Sequence, residues 1–335
     1  MKKVCFIGSC GHSGSAVLVI CGNPSEYQVP AVCAGAPDVK MERVVGPLLE
    51  KGFPAPKEYT DYCEMLDMEK PDILVVDGYF CDHAKMSIAA LERGIHVYCE
   101  KPAATTLEDL DQLEEAYQKV KEKGVHFAYM LTTRYDPWFY TAFQAVQQGA
   151  VGEIRMLNGQ KSYKAGKRGP LYHQRETYGG TIPWVGIHAL DWVLWFSGKK
   201  VKTVSAIQSS MANNGNGSME ATAICLFWLK DEVVAHINID YLRPQNADTH
   251  GDDRIRIAGT KGVIEVRGGN VYLINGNAKG EQILSLQQPP KIFQDFAESL
   301  DGKKPCLITA EQSLYFTRVC LTAQKAADCG QIIAM

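Results

Sequence analysis

The chain has 335 residues, which is long for a single hydrophobic core and predicts two domains. Its composition is that of a globular protein, with 46% hydrophobic and 22% charged residues and a formal net charge of −3. Because lysine and arginine are spread along the chain, no basic arm or stripe indicates nucleic acid or an anionic membrane, and we expect a small-molecule partner.

The first third of the chain alternates short apolar runs with helical segments. The predicted strands are residues 3–7, 28–33, 72–77 and 95–99, and the predicted helices are residues 13–21 and 83–93. The run DILVVD at 72–77 is apolar without alternation, as a strand buried on both faces requires. Repeated strand–helix alternation with short connections is typical of a parallel, doubly wound α/β sheet of the Rossmann type.

A glycine-rich loop follows the first predicted strand. Glycines at this position let backbone N–H groups and a helix N-terminus approach a pyrophosphate. The spacing is G-x-x-G-x-x-G rather than the standard G-x-G-x-x-G. We predict a dinucleotide-binding loop made of Gly8, Ser9, Cys10, Gly11, His12, Ser13 and Gly14.

The end of the second predicted strand leaves the choice of dinucleotide open. An acid normally stands here and binds the adenosine ribose 2′-hydroxyl, but the chain reads CAGAP at 33–37. Asp38 is the nearest acid, and only Lys40 and Arg43 downstream offer positive charge for a 2′-phosphate. NAD and NADP are both compatible with this pattern.

One more helix and strand are predicted to close the N-terminal domain. Thr105 and Glu108 form a predicted capping box, and Gly124 ends the helix. Residues 125–132 form the last predicted strand. The predicted boundary separates a dinucleotide-binding domain of residues 1–133 from a substrate-binding and oligomerisation domain of residues 134–335.

The second domain has a different pattern. It begins with a predicted helix at 138–148, a strand at 153–164, a polar loop at 165–177 and the helical stretch TIPWVGIHALDW at 181–192. Apolar residues then alternate at period two over 203–211, 220–229, 233–241, 254–258, 262–266 and 271–274, before a closing helix at 311–328. This pattern predicts an α+β domain with a large open, mainly antiparallel sheet.

The cysteines and the N-terminus bear on metal content and compartment. No pair among the eleven cysteines has zinc spacing, so we expect no metal site. The N-terminal apolar run is shorter than a signal-peptide core, and no segment has the length of a membrane span. We expect reduced thiols and a cytoplasmic protein.

Several motifs together identify a family. Cys99-Glu100-Lys101-Pro102 ends the predicted strand 95–99, at the edge where doubly wound sheets bind ligands. The other motifs are the glycine loop, R-x-x-P at 134–137, GAVGEI at 149–154, GG…GIHALD at 179–191 and DDRIRIAGTKGVIEV at 252–266. In this order, over nearly the whole length, they resemble the Gfo/Idh/MocA family, named for glucose–fructose oxidoreductase and inositol dehydrogenase.

The resemblance implies an enzyme and its cofactor contacts. Proteins of this family are NAD(P)-dependent dehydrogenases or reductases of sugars, cyclitols and related polyols, and their second domain often builds oligomers. A homodimer or homotetramer through the C-terminal sheet is therefore expected. Beyond the glycine loop, the implied cofactor contacts are Ala34, Tyr79, His83, Glu100 and Lys101.

The resemblance also implies the catalytic residues. It places Lys101 on the reacting oxygen and His188 as the acid/base, so that both converge on one substrate oxygen. Histidine suits proton transfer because its pKa lies near working pH, and a lysine ammonium can stabilise a developing alkoxide. Asp191, three residues after His188, either orients the imidazole or pairs elsewhere in the fold.

The predicted substrate contacts include one departure from the family. Trp184 stands four residues before His188, where an aspartate is common, so one proton-relay partner is missing. The indole either stacks on a sugar or belongs to the core. The further expected contacts are Tyr163, Tyr172 and His173, although a solvated loop explains these polar residues equally well.

Three functions are compatible with the sequence. The first is hydride transfer between nicotinamide and a secondary hydroxyl or ketone of a sugar, cyclitol or glycoside. The second starts with the same oxidation, but a transient 3-keto sugar assists bond cleavage and the cofactor is recycled in place. The third is a non-catalytic nucleotide-binding sensor, which the missing second-strand acid and Trp184 favour and the retained Lys101 and His188 oppose.

Overall fold

A computed structural model describes all residues 1–335 and divides into two compact units. The first unit comprises Met1–Leu131, Glu176–Gly179 and Pro290–Thr317, and the second comprises Thr132–Arg175, Gly180–Pro289 and Arg318–Met335. The N-terminal unit ends its first segment within two residues of the predicted boundary at 133. It also contains two later segments, which the local sequence pattern did not distinguish.

The helices and strands are numbered in chain order. The strands are β1 Lys2–Ile7, β2 Tyr27–Gln28, β3 Ala31–Cys33, β4 Lys57–Tyr59, β5 Ile73–Val76, β6 His96–Cys99, β7 Phe127–Tyr129, β8 Ile154–Ser162, β9 Val201–Ser209, β10 Thr222–Leu229, β11 Val234–Asp240, β12 Arg254–Gly259, β13 Gly262–Arg267, β14 Asn270–Asn275, β15 Gln282–Ile283 and β16 Ile333–Ala334. The helices are α1 Gly14–Gly22, α2 Glu42–Glu50, α3 Tyr62–Glu69, α4 His83–Leu91, α5 Leu107–Val120, α6 Pro137–Gln147, α7 Arg175–Tyr178, α8 Ile187–Ser197, α9 Ile292–Leu300 and α10 Ala310–Cys329. None of these helices combines the length and the apolar character that crossing a membrane requires.

The first unit is built on a parallel sheet. Its strand order is β4-β3-β1-β5-β6-β7, with β2 also pairing to β1, and every pairing is parallel. Strand β5 is buried along its whole length, as its continuous apolar run predicts. The predicted doubly wound α/β architecture is confirmed.

Two local predictions in this unit were wrong. The predicted strand at 28–33 is divided into β2 and β3, because Pro30 has no N–H to donate to a sheet. The capping box at Thr105 and Glu108 is displaced by one residue, since the Thr106 side chain accepts a hydrogen bond from the Asp109 N–H at 3.1 Å. Strand β4 and helices α2, α3 and α9 of this unit were not predicted from the sequence.

The second unit is built on a nine-stranded sheet in the order β15-β14-β13-β12-β8-β11-β10-β9-β16. All its pairings are antiparallel except the one between β8 and β11. Helix α8 packs against β8, where Gly159 leaves room for Ala189. The mainly antiparallel sheet is confirmed, with one parallel pair inside it.

Candidate active site

Three strands of the N-terminal sheet end at the same edge. The last residues of β1, β5 and β6 pair directly in the parallel register: Ile7, Val76 and Cys99. The next residues along the chain, Gly8, Asp77 and Glu100, are therefore brought together from distant parts of the sequence. This carboxyl edge is where open α/β sheets bind ligands.

Asp77 organises the glycine-rich loop. Its Oδ1 accepts a hydrogen bond from the Gly11 N–H at 2.6 Å, and its Oδ2 accepts one from the Ser13 N–H at 3.0 Å. Its backbone carbonyl also accepts from the Cys10 N–H at 2.9 Å. The side chain is fully buried, so one carboxyl group holds the loop in a single conformation.

Glu100 connects the glycine loop to Lys101. Its Oε2 accepts from the His12 N–H at 3.2 Å and lies 2.8 Å from His12 Nδ1, while its Oε1 lies 3.2 Å from Lys101 Nζ. Burial opposes ionisation of Glu100, but His12 and Lys101 outweigh it and lower the pKa of Glu100 to about 2. The Lys101 side chain, only 2% exposed, is thus held against a carboxylate.

Two glycines of the loop are required by close approach. Gly8 has a φ of +77°, and a Cβ there would collide with the Asp77 carbonyl oxygen. A Cβ on Gly11 would lie 2.8 Å from Asp77 Oδ1. A larger residue at Gly8 would therefore displace the backbone of Asp77 and Gly78, and one at Gly11 would displace the carboxyl group that shapes the loop.

The N-terminal turn of α1 has open space at Gly14. Helix α1 begins at Gly14, and no atom lies within 4 Å of the place a Gly14 Cβ would occupy. The Ser13 side chain makes no capping hydrogen bond there. The N–H groups of Gly11, His12 and Ser13 already donate to Asp77 and Glu100. What this turn offers the pyrophosphate of a dinucleotide is therefore the open space at Gly14 and the partial positive charge of the helix N-terminus.

The remaining predicted cofactor contacts lie on neighbouring loops of the same unit. The Tyr79 hydroxyl donates to Asp38 Oδ2 at 2.6 Å, and the Ser9 hydroxyl donates to the Lys40 carbonyl at 2.5 Å. Ala34 follows β3 directly and is half-buried. The exposed carboxylate of Asp38 is therefore held in place by Tyr79 on the loop that follows β3.

His83 is buried between two loops. Its Nδ1 lies 2.8 Å from the Pro102 carbonyl oxygen and its Nε2 lies 3.1 Å from that of Gly78. Burial lowers the pKa of His83. The ring braces the segment that carries Lys101, and a direct cofactor contact by His83 stays a prediction.

His188 lies near the start of α8 in the second unit. A π-helical segment, Ile182–Gly186, precedes the helix and contains Trp184. The His188 side chain is 2% exposed, and that of Trp184 is 7% exposed. Such π-helical turns occur frequently at functional sites, where they re-aim side chains.

Asp191, on the same helix, forms a buried ion pair. Its carboxylate accepts from Arg134 Nε at 2.9 Å and from Arg134 Nη2 at 2.5 Å, and both side chains are fully buried. The Arg134 guanidinium also lies 5.0 Å from the Trp195 ring. Asp191 therefore pairs with Arg134, which is one of the two roles expected from the sequence. The other role, orienting the His188 imidazole, stays a prediction.

Three predicted substrate residues, Tyr163, Tyr172 and Trp184, belong to one group of aromatic rings in the second unit, which is connected through Tyr241. Tyr172 lies 4.4 Å from the Trp184 ring, and Trp184 in turn lies 6.0 Å from Tyr241. Tyr163 stacks on His250 at 5.1 Å. These placements surround Trp184 with protein side chains, and direct substrate contacts remain predictions.

Comparisons with known proteins decide the family. The NAD-binding Rossmann fold of the oxidoreductase family Gfo/Idh/MocA matches residues 2–129, and the C-terminal domain of the same family matches residues 139–265. A solved protein from Thermotoga maritima, provisionally assigned as an oxidoreductase, is 45% identical, covers 99% of this chain and 100% of its own, and superposes with a TM-score of 0.94. The chain belongs to the Gfo/Idh/MocA family. Both the resemblance and the NAD-binding Rossmann domain are confirmed.

Two curated proteins are more distantly similar to this Gfo/Idh/MocA protein. Inositol 2-dehydrogenase of Salmonella typhimurium is 26% identical over 72% of this chain and 67% of its own length. An α-N-acetylgalactosaminidase of Bacteroides fragilis is 28% identical over 48% of this chain and 37% of its own length. The second match spans little more than a third of that protein.

Sequence reasoning did not select two residues that the structure makes prominent in this Gfo/Idh/MocA protein. Asp77 was predicted only as the last residue of the strand at 72–77, although an acid at the carboxyl end of a buried strand was a usable signal. Arg168 lies in the polar loop 165–177 and contacts Trp184 and Tyr241. Nothing in the loop sequence distinguishes Arg168 from its charged neighbours.

The stability of the protein should depend on pH through the ionisation of Asp77. Burial, and then the negative charge of Glu100, raise the pKa of Asp77 from 3.8 to about 7. The folded protein therefore keeps a proton that the unfolded chain loses above about pH 4, and stability falls as the pH rises toward 7, by at most about 1.4 kcal/mol per pH unit. In urea denaturation between pH 5 and pH 7, Asp77→Asn should flatten this decline.

The matched control is Glu58→Gln, which neutralises an exposed acid on β4 of the same unit. This variant should keep the slope of the wild-type protein. If the free energy of unfolding of Asp77→Asn fell with pH as steeply as that of the wild-type protein, the raised pKa of Asp77 would be contradicted.

Proposed function

We propose that the protein is an NAD-dependent oxidoreductase that transfers a hydride between nicotinamide and a secondary hydroxyl or ketone of a sugar, cyclitol or glycoside. The observation that carries the proposal is Lys101, a buried ammonium paired with Glu100 beside the glycine loop. A cation held at this edge suits an oxygen that gains negative charge during reaction. The similarity to inositol 2-dehydrogenase supports a cyclitol or sugar as substrate.

In the proposed mechanism, Lys101 binds the reacting oxygen and His188 exchanges its proton. Ionised Glu100 lies against the Lys101 ammonium and limits its movement. During oxidation the hydroxyl proton passes to the His188 imidazole, while the Lys101 ammonium stabilises the alkoxide. Bound nicotinamide supplies the hydride acceptor for the carbon.

The cofactor specificity that we propose is NAD rather than NADP. The Asp38 carboxylate is exposed and is oriented by the Tyr79 hydroxyl. A carboxylate on the loop after β3 can accept a hydrogen bond from a ribose 2′-hydroxyl and repels a 2′-phosphate. Lys40 and Arg43 are the residues that would favour NADP instead.

Redox-assisted glycoside cleavage is the second candidate function. It is supported by the partial similarity to an α-N-acetylgalactosaminidase. In this reaction, oxidation of a glycoside to a 3-keto intermediate acidifies the neighbouring C2–H bond. The C2 proton is removed, and the aglycone leaves C1 by elimination and takes up a proton. Water then adds to the resulting double bond, and the hydride returns to the carbonyl carbon. Product would form without net release of NADH.

A substrate panel tests the proposal. Purified protein is incubated with inositols, free hexoses and aryl glycosides, with NAD and NADP separately, while absorbance of the reduced cofactor and release of the aglycone are followed. We expect NADH in proportion to oxidised product. Aglycone release without NADH would instead support the second candidate, and tight NAD binding without any turnover would favour a nucleotide-binding sensor.

We also propose that the open face of the C-terminal sheet is covered by a second copy of the chain. Ile207, Ile224 and Leu226 are 77%, 54% and 56% exposed. Ile207 pairs with Ile224, and Leu226 follows two residues later on the same face. An apolar face of this kind is typical of a protein–protein interface.

Substitution within this face should change the molecular mass in solution. Leu226→Glu places a charge in the proposed interface, so it should reduce the mass measured by sedimentation from an oligomer toward a monomer. Leu49→Glu, which changes a 48% exposed leucine on α2, is the control and should leave the mass unchanged. A monomeric wild-type protein would contradict the proposal.

A further inference from the structure

Arg168 of the second unit is surrounded by three aromatic rings. Its guanidinium carbon lies 5.3 Å from the Trp184 ring, 5.7 Å from the Tyr241 ring and 5.9 Å from the Tyr172 ring. These distances are within the range of cation–π interactions. The rings help to fix the position of the guanidinium, but they provide no negative charge.

The backbone around Arg168 is also held in place. The Arg168 N–H donates to Asn216 Oδ1 at 3.0 Å, and the Arg168 carbonyl oxygen lies 3.0 Å from His173 Nε2. The Asn216 side chain is buried and donates to the Asn213 carbonyl at 2.9 Å. The backbone of Arg168 is therefore fixed by Asn216 and by His173, the residue predicted from the sequence as a substrate contact.

The charge of Arg168 is not neutralised within the protein. No carboxylate lies within 4.0 Å of its guanidinium, and its buried Nε–H has no acceptor. Its Nη2 reaches only the Lys164 carbonyl oxygen, at 3.4 Å. A buried donor without an acceptor is unfavourable, and an oxygen atom of a ligand would provide the missing acceptor.

Lys164 adds a second cation without a carboxylate partner. Its Nζ donates to the backbone carbonyl oxygen of Ala247, a neutral acceptor. Lys161, by contrast, is paired with Asp253. His250 faces this group of cations, and its pKa is lowered by burial and then by Arg168, Lys164 and Lys161. The cluster therefore carries excess positive charge.

We propose that Arg168, assisted by Lys164, binds an oxyanion on the substrate, so that the substrate class is an acidic sugar or cyclitol bearing a carboxylate or a phosphate. A guanidinium offers parallel N–H donors that match the two oxygens of such a group. Trp184 links this cation to the helix of His188, because the two residues are four positions apart along the chain. The inference rests on the proposed function, since it names the substrate of that reaction.

A comparison of matched sugars tests the inference. D-glucose, D-glucuronate and D-glucose 6-phosphate share one ring and differ in the group at its end, so kcat/KM with NAD is measured for each. We expect one of the two acidic sugars to exceed glucose by about tenfold or more. The acidic sugar that is preferred tells whether the group is a carboxylate or a phosphate.

Three variants separate recognition from catalysis. Arg168→Gln should lower kcat/KM for the preferred acidic sugar by about ten- to hundredfold, and this loss should be at least about fivefold larger than any loss for glucose. Arg168→Lys should lower kcat/KM by a smaller factor, because it keeps the positive charge although it lacks the planar N–H donors of the guanidinium. Lys167→Gln, which neutralises the exposed neighbour of Arg168, is the control and should match the wild-type protein. A wild-type preference for glucose, or equal losses for neutral and acidic sugars in Arg168→Gln, would overturn the inference.

A binding measurement distinguishes this inference from the proposed function. Calorimetric titration of glucuronate and of inorganic phosphate into the NAD-loaded protein needs no turnover. Binding of either anion that is weakened at least about tenfold in Arg168→Gln supports the oxyanion site even if no sugar is oxidised. Oxidation of neutral sugars together with no binding of either anion leaves the proposed function standing and removes the oxyanion site.

Discussion

Replacing Lys101 with methionine is expected to lower kcat by about a hundred- to a thousandfold, because the alkoxide formed in the proposed reaction would lose its cation. Methionine has a similar length and fills the buried position, so the fold should persist. The glycine loop is held by Asp77 and by Glu100, and the affinity for NAD should therefore change by less than about tenfold. Steady-state kinetics and a fluorescence titration with NAD measure the two quantities separately.

His188→Ala provides the second half of this test. Removal of a general acid/base lowers turnover by about a hundred- to ten-thousandfold, and the pH dependence of kcat that the imidazole causes should disappear with it. Lys123→Met, on the exposed turn after α5, is the control for the lysine substitution and should behave like the wild-type protein. Near-normal turnover in Lys101→Met or His188→Ala would remove that residue from the mechanism.

The second large effect is expected on stability rather than on turnover. Asp191→Ala leaves the Arg134 guanidinium fully buried without its carboxylate, and this should lower the free energy of unfolding by about 3–5 kcal/mol. Trp195 lies over the guanidinium and cannot replace the lost charge. Chemical denaturation followed by tryptophan fluorescence measures the change.

A double substitution keeps this prediction testable if the single variant does not fold. Arg134→Met combined with Asp191→Leu replaces the ion pair by apolar side chains, so it should be markedly more stable than Asp191→Ala. Glu153→Ala breaks the exposed pair with Arg155 and serves as the control, with little change in Tm. An Asp191→Ala protein as stable as the wild type would show that the buried pair contributes nothing.

Much of the N-terminal fold was predictable because its determinants are local. The continuous apolar run 72–77, the loop beginning at Gly8 and the acid–lysine–proline segment after β6 each depend on a few consecutive residues. The helix cap was misplaced by one residue, since Thr105 and Thr106 are adjacent and only backbone geometry distinguishes them. The divided strand at Pro30 had a visible signal in the proline itself.

The candidate site was predictable as a set of motifs, but its internal connections were not. Arg134 and Asp191 belong to separate motifs, and their pairing depends on how α8 packs in the second unit. Asp77 and the glycine loop are connected by strand register, which brings the ends of β1 and β5 together. Likewise, Arg168 gains its surroundings from Asn216 and Tyr241, which lie on distant loops and strands.

The amino-acid sequence by itself determined the family, the two kinds of sheet, and the chemical types available for catalysis, because these follow from periodicity and from short motifs. Only the tertiary structure decided which charges are neutralised. Asp191 is paired with Arg134, Glu100 holds both His12 and Lys101, and Arg168 has no carboxylate at all. The free energy of a buried charge depends on what lies within a few ångströms of it, and residues far apart in the chain determine those surroundings.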